Sequence, residues 1–404
     1  MDQDICPEVP YRPANSTRLL VVQFGNYAEA EHRFARGEEE NYFAQRYTVD
    51  YVASLRRKGC HVRVISLGEN AMLEQLPSGV ESVGICLYPG RFRDRTRQLI
   101  HMVARWKPTH LLLHSPIPQL LRWAVLNRVE TLPLLADSFR AAGIRNRMRY
   151  RRLAKALNDS AIRWVANHGI NACEDLRRIG VSSGKLLPFD WPSFDSPSIW
   201  RAKKAPADTN SIRLTYVGQI TESKGVGDVL EAVAFAKANG KQYQATFAGR
   251  GEIKYFGNYA NRLGVADSVR FVGPVSRRAA MEMMNAGDVV VVASRHEYPE
   301  GMPQTIYEGM VSRSPVVASD HPMFSGRVIH RENGMIFRAG HANSLYQAID
   351  DLVHDPALYE QLSMDSDRNA SQLHGPLKWH QLIGRWLSGT TENDAWLRQY
   401  ALSR

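Results

Sequence analysis

Residues 288–320 read DVVVVASRHEYPEGMPQTIYEGMVSRSPVVASD, and this stretch predicts the fold class. The two valine-rich runs at its ends are short, apolar and bounded by polar residues, a pattern typical of buried strands. Pro299 and Gly301 favour a loop after the first run, and Pro303 suits the first turn of a helix. The order strand, loop, helix, strand predicts a β-α-β unit with parallel strands.

The same alternation continues in both directions along the chain. Three strand-like runs lie upstream, each followed by a helical pattern: IRLTYVGQI, YQATFAG and SVRFVGPV. The first half has four similar runs, RLLVVQF, HVRVIS, THLLLH and TLPLLA. Residues 192–210, PSFDSPSIWRAKKAPADTN, show no periodicity. Because 404 residues exceed the size of one hydrophobic core, two domains are expected. We predict an α/β fold of two doubly wound, Rossmann-like domains, residues 1–195 and 211–378, with a linker at 196–210 and a helical segment at 379–404.

Composition narrows the class of protein. No apolar run approaches the length that spans a bilayer, and the N-terminus MDQDICPEVPYRP lacks the order of a signal peptide. The simplest expectation is a cytoplasmic protein. The four cysteines show no C-x-x-C pairing and the histidines no H-E-x-x-H spacing, which disfavours a metal site or a disulfide framework. Neither half has the dinucleotide fingerprint of a nicotinamide dehydrogenase.

Positive charge is concentrated in the first half. The formal net charge is +10, and residues 1–200 contain 28 Lys+Arg against 20 Asp+Glu. Two runs carry most of this excess, RFRDRTRQ at residues 91–98 and RNRMRYRRLAK at residues 145–155. The second run continues with apolar residues through Ala161 and Trp164, which predicts an amphipathic helix with a cationic face. Such a face suits solvent or an anionic lipid surface. Nucleic acid is not an expected partner, because no recognised nucleic-acid motif accompanies the charge.

Glycine-rich loops follow the first two strands of the second half. YVGQITESKGVGDVLEA places Lys224 in a loop just ahead of a helix, where its charge and the helix N-terminal amides suit a phosphate group. The alternative is that Lys224 is an ordinary solvent-exposed surface residue. In FAGRGE, Gly249 and Gly251 permit tight turns around Arg250, whose guanidinium binds oxyanions in bidentate fashion.

Two glutamates flank the helix start in the opening stretch. Glu300 lies in the predicted loop, and Glu308 lies on the following helix, on the face that Gln304 shares. A carboxylate accepts hydrogen bonds and suits the vicinal hydroxyls of a sugar or a ribose. Taken singly, Glu300 also fits an ordinary loop acid, and Glu308 fits an exposed helix acid paired to a neighbour.

From Ile212 to about Leu362, the chain resembles the retaining glycosyltransferases of family 4, which use nucleotide sugars and have the GT-B fold of two facing Rossmann-like domains. The resemblance rests on the two glycine loops, on VRFVGPVSRRAAMEMMNAGDVVVVAS, on the E-x(7)-E spacing of EYPEGMPQTIYEGM, and on ENGMIFRAGHANSLYQAIDDLVHDPALYEQL, in that order. It implies a C-terminal helix that crosses back to the first domain, for which Trp379 and Trp386 are candidate anchors.

The resemblance assigns roles in donor binding. Lys224 is implied to bind the diphosphate, Glu300 to approach the donor sugar, and Glu308 to bind the ribose of the nucleotide. The backbone of Gly301, Met302 and Pro303 is implied to contact sugar hydroxyls and diphosphate. The remaining candidate donor-binding residues are Gly218, Gln219, Arg250, Gly273 and Val275.

The chain departs from the family pattern at Gln219. The family has Gly-Arg where this chain has Gly218-Gln219, so one of two cations that stabilise the leaving diphosphate is missing. A lost charged donor costs a few kcal/mol of transition-state stabilisation. Our hypothesis is that Arg250, in the neighbouring strand-end loop, supplies the charge.

The resemblance is weaker in the first half, where an acceptor is expected to bind. Gly25 and Asn26 form the loop after the first strand, which implies an acceptor-side loop. Asp137, after TLPLLA, stands where family members carry a His or Asp at the transfer site, and its carboxylate suits orienting or deprotonating an acceptor hydroxyl. An N-cap of the next helix is the alternative role for Asp137.

The expected function is transfer of a hexose-type sugar, with retention, from a nucleoside diphosphate to a glycan or polyprenyl-linked acceptor in polysaccharide or glycolipid biosynthesis. Glu300, Lys224 and Asp137 are the expected catalytic residues, and neither a metal nor another cofactor is expected. Association with the inner face of the membrane is the expected location. The alternatives are a GT-B-fold epimerase acting on the nucleotide sugar and a catalytically decayed binding or scaffold protein.

Overall fold

The computed structural model describes residues 17–42, 44–68, 70–87, 92–139, 143–192 and 199–402, with the side chains of 92–94 left out. Contacts divide the chain into two compact units. The first consists mainly of residues up to 192 together with Gly375–Arg404, and the second mainly of Ser193–His374. The domain boundaries expected from sequence were 195 and 378.

The first unit is an α/β unit around one sheet. Its sheet has eight strands among the described residues, in the order β3-β4-β2-β1-β5-β6-β7-β8. The strands are β1 (Arg18–Phe24), β2 (His61–Leu67), β3 (Ala71–Gln75), β4 (Glu81–Ile85), β5 (His110–Leu113), β6 (Glu130–Leu135), β7 (Val165–His168) and β8 (Leu186–Phe189). The helices before the linker are α1 (Tyr27–Ala35), α2 (Gln45–Arg57), α3 (Phe92–Trp106), α4 (Pro118–Leu126), α5 (Gly143–Leu157) and α6 (Ile170–Arg178).

β1 lies at the centre of this sheet and shows why the unit is doubly wound. It pairs in parallel with β2 on one side and with β5 on the other. Leu19, Leu20, Val21 and Val22 are all buried, so both faces of the strand are covered. A strand covered on both faces is a continuous apolar run without alternation, as the sequence predicted.

The second unit is wholly parallel. Its sheet has six strands within the described range, in the order β11-β10-β9-β12-β13-β14. The strands are β9 (Arg213–Val217), β10 (Gln244–Ala248), β11 (Val269–Gly273), β12 (Val289–Val292), β13 (Val316–Ser319) and β14 (Met335–Phe337). The helices are α7 (Val226–Ala238), α8 (Ile253–Arg262), α9 (Arg277–Ala286), α10 (Gln304–Val311), α11 (Ala342–Val353), α12 (Pro356–Met364) and α13 (Ser366–Leu373).

The C-terminal segment packs on the first unit, as the resemblance implied. It forms two helices, α14 (Trp379–Ser388) and α15 (Thr391–Arg398). The Trp379 ring lies 5.1 Å from the ring of Tyr51 and stacks on Trp191 at 5.3 Å. Trp386 meets His110 edge to face at 5.5 Å. The aromatic side chains of α14 therefore complete the core of the first unit, although the rest of that unit lies before the linker in sequence.

Two details differ from the sequence expectations, strand β3 and the end of the basic helix. β3 runs antiparallel to β4, because a tight turn, with the Gly79 amide donating to the Leu76 carbonyl, joins the two strands as a hairpin. All five residues of β3 are exposed, so the sequence has no pattern of buried apolar residues there and did not predict this edge strand. The basic amphipathic helix ends at Leu157, and Ala161 and Trp164 lie beyond it. Arg91, in the first basic run, lies outside the described residues.

Candidate functional site

The strand order of the second unit creates a crevice between β9 and β12. β9 pairs with β10 on one side and with β12 on the other, so the chain winds outward in opposite directions from this pair. Ligands of open parallel sheets bind at such a point, beyond the carboxyl ends of the strands. The loops that leave these two strands, residues 218–225 and 293–303, contain most of the donor-binding residues expected from sequence.

A close ion pair joins the two loops. The Lys224 Nζ atom lies 2.6 Å from the Glu300 Oε2 atom, and the side chains are only 14% and 10% exposed. The Ser294 hydroxyl donates to the same carboxylate oxygen at 2.7 Å. The ring of Tyr298 lies 4.2 Å from Lys224 Nζ, within the range of a cation–π contact. The structure thus brings the expected phosphate-binding lysine and the expected sugar-binding carboxylate into direct contact.

Gly225 allows the two loops to approach this closely. Its φ is +74°, and a Cβ atom there would lie 2.0 Å from the Ala293 carbonyl oxygen. The Arg295 amide also donates to the Ser223 carbonyl at 2.9 Å, which ties the loops by their backbones. Any side chain at position 225 would force them apart.

Arg295 anchors the second loop to the start of α7. Its Nε and Nη2 atoms donate to the two carboxylate oxygens of Asp228 at 3.0 and 2.6 Å, and Nη1 lies 2.6 Å from Glu222. A bidentate pair of this kind fixes both orientation and position. Donation of these hydrogen bonds to the Asp228 carboxylate raises the pKa of Arg295. Arg295 is therefore a structural cation that holds the loop carrying Glu300.

Glu308 lies on α10 and pairs with a different cation. Arg277, the first residue of α9, donates from Nε to Glu308 Oε1 at 3.0 Å, and the two side chains are 13% and 9% exposed. Glu300 pairs with Lys224 instead. The two glutamates are thus separately neutralised acceptors, which does not fit an acid and base that share a proton.

Gln219 and Arg250 lie in adjacent, hydrogen-bonded loops. The Ile220 amide donates to the Arg250 carbonyl at 2.8 Å, and Gly249 leaves no room for a Cβ atom, which would lie 1.8 Å from the Gly218 oxygen. The Tyr298 hydroxyl donates to Gln219 Oε1 at 3.4 Å. Arg250 is exposed. Its backbone is thus next to that of Gln219, as the compensation hypothesis requires.

The remaining donor-site candidates occupy neighbouring loops of the same unit. Gly273, at the end of β11, has a φ of +74°, and its carbonyl accepts from the Gly249 amide at 2.8 Å. Val275 follows in the same loop and is half-buried. Gly301 and Met302 are buried, and Pro303 is the N-cap of α10. The backbone expected to meet the donor therefore leads directly into a helix N-terminus.

His321, which follows β13, fixes the backbone beside Tyr298. Its Nδ1 atom accepts from the Met323 amide at 3.2 Å, so the neutral ring carries its proton on Nε2, which donates to the Tyr298 carbonyl at 3.2 Å. The side chain is buried. His321 therefore supports the loop that contains Glu300 from a third strand end.

Sequence reasoning missed several of these residues. Ser294 and Arg295 directly follow β12, so the rule that polar residues at strand ends mark a site was sufficient to find them. Arg277 and His321 gave no local signal. Each acts through a partner more than twenty residues away, and only the packing of the elements reveals the contact.

In the first unit, the expected acceptor-side loop follows β1. Gly25 has a φ of +85°, and the Asn26 side chain accepts from the Glu29 amide at 2.9 Å as the N-cap of α1. The Asn26 carboxamide therefore already has a structural role. His114 follows the adjacent strand β5, and burial lowers its pKa to about 4. Its Nε2 atom has no partner among the described residues, and sequence reasoning did not single it out.

Asp137 follows β6 at the same edge of the sheet. Asn167 holds its backbone, accepting from the Asp137 amide at 3.3 Å and donating to its carbonyl at 2.9 Å. Burial raises the pKa of the Asp137 carboxyl to about 6. The following helix α5 begins at Gly143, so Asp137 does not cap it. The alternative N-cap role is therefore wrong, and a half-buried carboxyl that titrates near neutral pH lies at a strand end.

Metal-binding groups were sought in the described part of the chain. None of its clusters of three or more His, Cys, Asp or Glu side chains has the geometry to hold a metal ion. The sequence has two D-x-D triplets, a pattern that can bind a metal, at residues 2–4 and 365–367. Asp2 and Asp4 lie outside the described residues, and Asp365 pairs with Arg368 at the start of α13.

The sequence of the second unit matches a known protein family. Residues 199–368 match the family model of the glycosyl transferases group 1. The matched segment contains β9–β14 and the complete Lys224, Glu300, Glu308 and Arg277 arrangement. The match is therefore to the unit in which the candidate donor site lies.

Known relatives and structures extend the likeness. The lipopolysaccharide core biosynthesis glycosyltransferase LpsD of Rhizobium meliloti is 24% identical over 326 residues, which are 79% of this chain and 87% of LpsD. The amylovoran biosynthesis glycosyltransferase AmsK of Erwinia amylovora is 26% identical over 153 residues, covering 37% of this chain. Several such relatives are aligned over only 38–40% of their own length.

The crystal structure of Anabaena HepE in complex with UDP superposes with a TM-score of 0.63 at 16% identity, covering 93% of this chain and 100% of HepE. At this level of identity the likeness establishes the fold alone. Two Rossmann-like units in this order, with the C-terminal segment returned to the first unit, are the GT-B fold, as predicted.

Proposed function

We propose that the protein is a glycosyltransferase that moves a hexose-type sugar from a nucleoside diphosphate to a glycan or lipid-linked acceptor, with retention of anomeric configuration. The observation that carries the proposal is the contact of Lys224 with Glu300 at the crevice between β9 and β12. The match to glycosyl transferases group 1 and the names of LpsD and AmsK support it. Those names also favour a place in cell-surface polysaccharide or glycolipid biosynthesis.

The donor binds in this proposal with its diphosphate at Lys224 and at the N-terminus of α10. A phosphate group there replaces the Glu300 carboxylate as the partner of Lys224. Glu300 is then released to accept from a hydroxyl of the sugar, next to the backbone of Gly301 and Met302. Glu308, held by Arg277 at 3.0 Å, accepts from the ribose. No metal has a role in this scheme, so transfer should persist in excess EDTA.

Arg250 supplies the second positive charge toward the leaving diphosphate in our proposal. The side chain is exposed, and its loop is hydrogen-bonded to the loop of Gln219. Arg250→Ala should lower turnover about 100-fold, the typical effect of losing one charged donor at a developing negative charge. Arg262→Ala, at the exposed end of α8, is the control. Unchanged turnover and nucleotide affinity in Arg250→Ala would rule out the compensation.

The acceptor binds to the first unit, near Gly25, Asn26 and Asp137, in this proposal. The exposed face of α5 suits an anionic membrane surface that presents such an acceptor. Arg145, Arg147, Arg149, Arg151 and Arg152 are exposed there. Ile144 and Met148, one turn apart, are 76% and 50% exposed, and two apolar side chains amid arginines are typical of an interfacial helix. Within the described residues, no helix has the length and apolar character to cross a bilayer.

Vesicle flotation tests this membrane face. The protein should float with vesicles that contain phosphatidylglycerol and stay behind with pure phosphatidylcholine. Replacing Arg147 and Arg151 by Glu should abolish flotation, whereas the same change at Arg262, in the second unit, should not. Equal binding to neutral vesicles would contradict an electrostatic docking.

A two-step experiment tests the catalytic proposal. A thermal-shift screen of nucleoside diphosphates and their sugars, starting with UDP because HepE binds it, identifies the donor as the ligand that stabilises the protein. The product formed with and without an acceptor is then analysed by NMR. A new glycosidic bond of unchanged anomeric configuration supports the proposal. Conversion of the sugar without an acceptor would indicate an epimerase, and binding without any product would indicate a binding or scaffold protein.

A further inference from the structure

A polar pocket lies in the first unit, at the edge of the sheet opposite the loops of Gly25, Asn26 and Asp137. It has a volume of about 310 Å³ and is lined at the amino ends of β1, β2 and β4 by residues that include Arg18, Arg63 and Glu81. Arg56, near the end of α2, and Trp106, at the end of α3, complete its wall. The candidate acceptor loops follow the carboxyl ends of the strands, so this pocket is separate from them.

Each of the three arginines is held in place by one edge of its guanidinium. Arg18 donates from Nε to the Lys107 carbonyl at 3.1 Å and from Nη2 to the Trp106 carbonyl. Arg56 donates from Nε to the Gly79 carbonyl at 3.1 Å. Arg63 uses Nε and Nη2 to bind Glu81, at 3.0 and 2.9 Å.

An indole ring and a glycine shape the same pocket. The guanidinium carbons of Arg18 and Arg63 lie 4.7 and 5.2 Å from the Trp106 ring centroid. Trp106 is itself fixed, because its Nε1 atom donates to Glu81 at 3.0 Å. A Cβ atom on Gly79 would lie 3.3 Å from Arg56 Nε, so the absence of a side chain at Gly79 leaves room for the Arg56 guanidinium. These contacts preorganise the cations before any ligand arrives.

The other edges of the guanidiniums remain available. Nη1 of Arg18, both Nη atoms of Arg56 and Nη1 of Arg63 have no hydrogen-bond partner within the described residues. The side chains are half-buried, and Arg63 is 18% exposed. Three guanidiniums face one carboxylate, that of Glu81, while His61 and Gln75 add only polar groups. Like charges gathered around one cavity repel each other unless an anion joins them.

We propose that this pocket binds a small multivalent oxyanion of the phosphate type. Arginine donors match the oxygens of phosphate in pairs, and the free nitrogens come from three sides of one cavity. The excess of positive charge requires a ligand with more than one negative charge for neutrality. The site does not depend on the proposed sugar transfer, because it shares no residue with the donor site.

Titration calorimetry of the full chain with inorganic phosphate and pyrophosphate tests the site, at constant ionic strength set with chloride. Because Lys224 also suits phosphate, the titration is run in a Lys224→Met background. We expect one saturable site, with pyrophosphate binding more tightly than phosphate. Arg56→Met should weaken binding about 10-fold or more, the usual effect of losing a charged hydrogen bond.

Arg57→Met is the matched control, because Arg57 is the neighbouring, exposed residue outside the pocket. It should leave the affinity unchanged, and Arg56→Lys should retain part of it. Circular dichroism of each variant checks that the fold is intact. The proposal is overturned if the Lys224→Met protein shows no binding, or if Arg56→Met and Arg57→Met bind equally, which would show an adventitious surface ion only.

Discussion

At the scale of single residues, the Lys224–Glu300 pair decides how the proposed donor site behaves without ligand. Both side chains are largely buried, so their mutual attraction is only weakly screened by solvent. In the proposed binding mode, a diphosphate that approaches Lys224 must displace the Glu300 carboxylate and also meets its negative charge. Binding the nucleotide and binding the sugar therefore place opposite demands on Glu300.

Glu300→Gln should separate these demands. Without the carboxylate charge, Lys224 is free to bind phosphate and the repulsion disappears, so affinity for the nucleoside diphosphate should rise about 3- to 10-fold. Sugar transfer should fall about 100-fold or more, because the acceptor of the sugar hydroxyl is weakened. Calorimetry and a transfer assay measure the two effects, with Lys224→Met as the opposite case that loses nucleotide affinity. Weaker nucleotide binding by Glu300→Gln would contradict this description of the pair.

Asp137 should impose a pH dependence on transfer. Burial raises its pKa to about 6, so the carboxylate, which is proposed to orient or deprotonate the acceptor hydroxyl, is lost as the pH falls through that value. Transfer should therefore increase with pH up to about 7 in the wild type. Asp137→Asn should lose transfer at every pH while donor hydrolysis, measured separately, persists. Normal transfer by Asp137→Asn would exclude a catalytic role.

At the scale of elements, α14 packs on the first unit through a buried face that is mainly apolar but includes the polar residue His380. Trp379, Leu382 and Ile383 are almost completely buried, and Tyr51 donates to the His380 carbonyl at 3.1 Å. Both ring nitrogens of His380 are buried without a partner among the described residues. Burial, aided by nearby Lys378, lowers the pKa of His380 from 6.5 to about 4. The contact of α14 should therefore weaken in acid.

His380→Phe should reduce the acid sensitivity of the protein. Since the folded-state pKa of His380 is below the unfolded value, the unfolded chain takes up a proton first as the pH falls. The free energy of unfolding contributed by this site should decrease by about 2 kcal/mol between pH 6.5 and 4 in the wild type. Denaturant unfolding across this range should show a flatter profile in His380→Phe. A profile parallel to that of the wild type would exclude His380 as a source of the sensitivity.

At the scale of the whole molecule, chain order and structural units do not coincide. The second unit consists mainly of one continuous segment, Ser193–His374, whereas the first is completed only by residues 375–404. The core of the second unit draws on β9–β14 and on helices up to α12. One unit should therefore fold as an isolated segment, and the other should depend on both ends of the chain.

Truncation after His374 should test this dependence. Removing α14 exposes the partners of Trp379 and Trp386, and each lost tryptophan costs about 3–5 kcal/mol, comparable to the whole stability of a domain. Hydrogen exchange should show loss of protection throughout β1–β8, while β9–β14 remain protected and the nucleoside diphosphate still binds. Protection of β1–β8 at the full-length level would contradict this account.

Much of the fold was predictable because its signals are local. Continuous valine and leucine runs, glycines at strand ends and proline before a helix indicate β-α-β units without knowledge of contacts. The edge strand β3 was missed because its residues are all exposed and carry no pattern. The proximity of Lys224 and Glu300 was predictable from sequence, since both follow strands whose carboxyl ends meet at one edge of the sheet.

The sequence by itself determined most of the order of strands and helices, the division into two α/β units and the positions of the glycine loops, because these depend on residues close together in the chain. Only the tertiary structure decided which side chains meet. Arg277 faces Glu308, and Arg18 shares one cavity with Arg56 and Arg63, because strand order and helix packing bring together residues dozens of positions apart. Charge pairing of this kind depends on three-dimensional proximity, which periodicity along the chain does not encode.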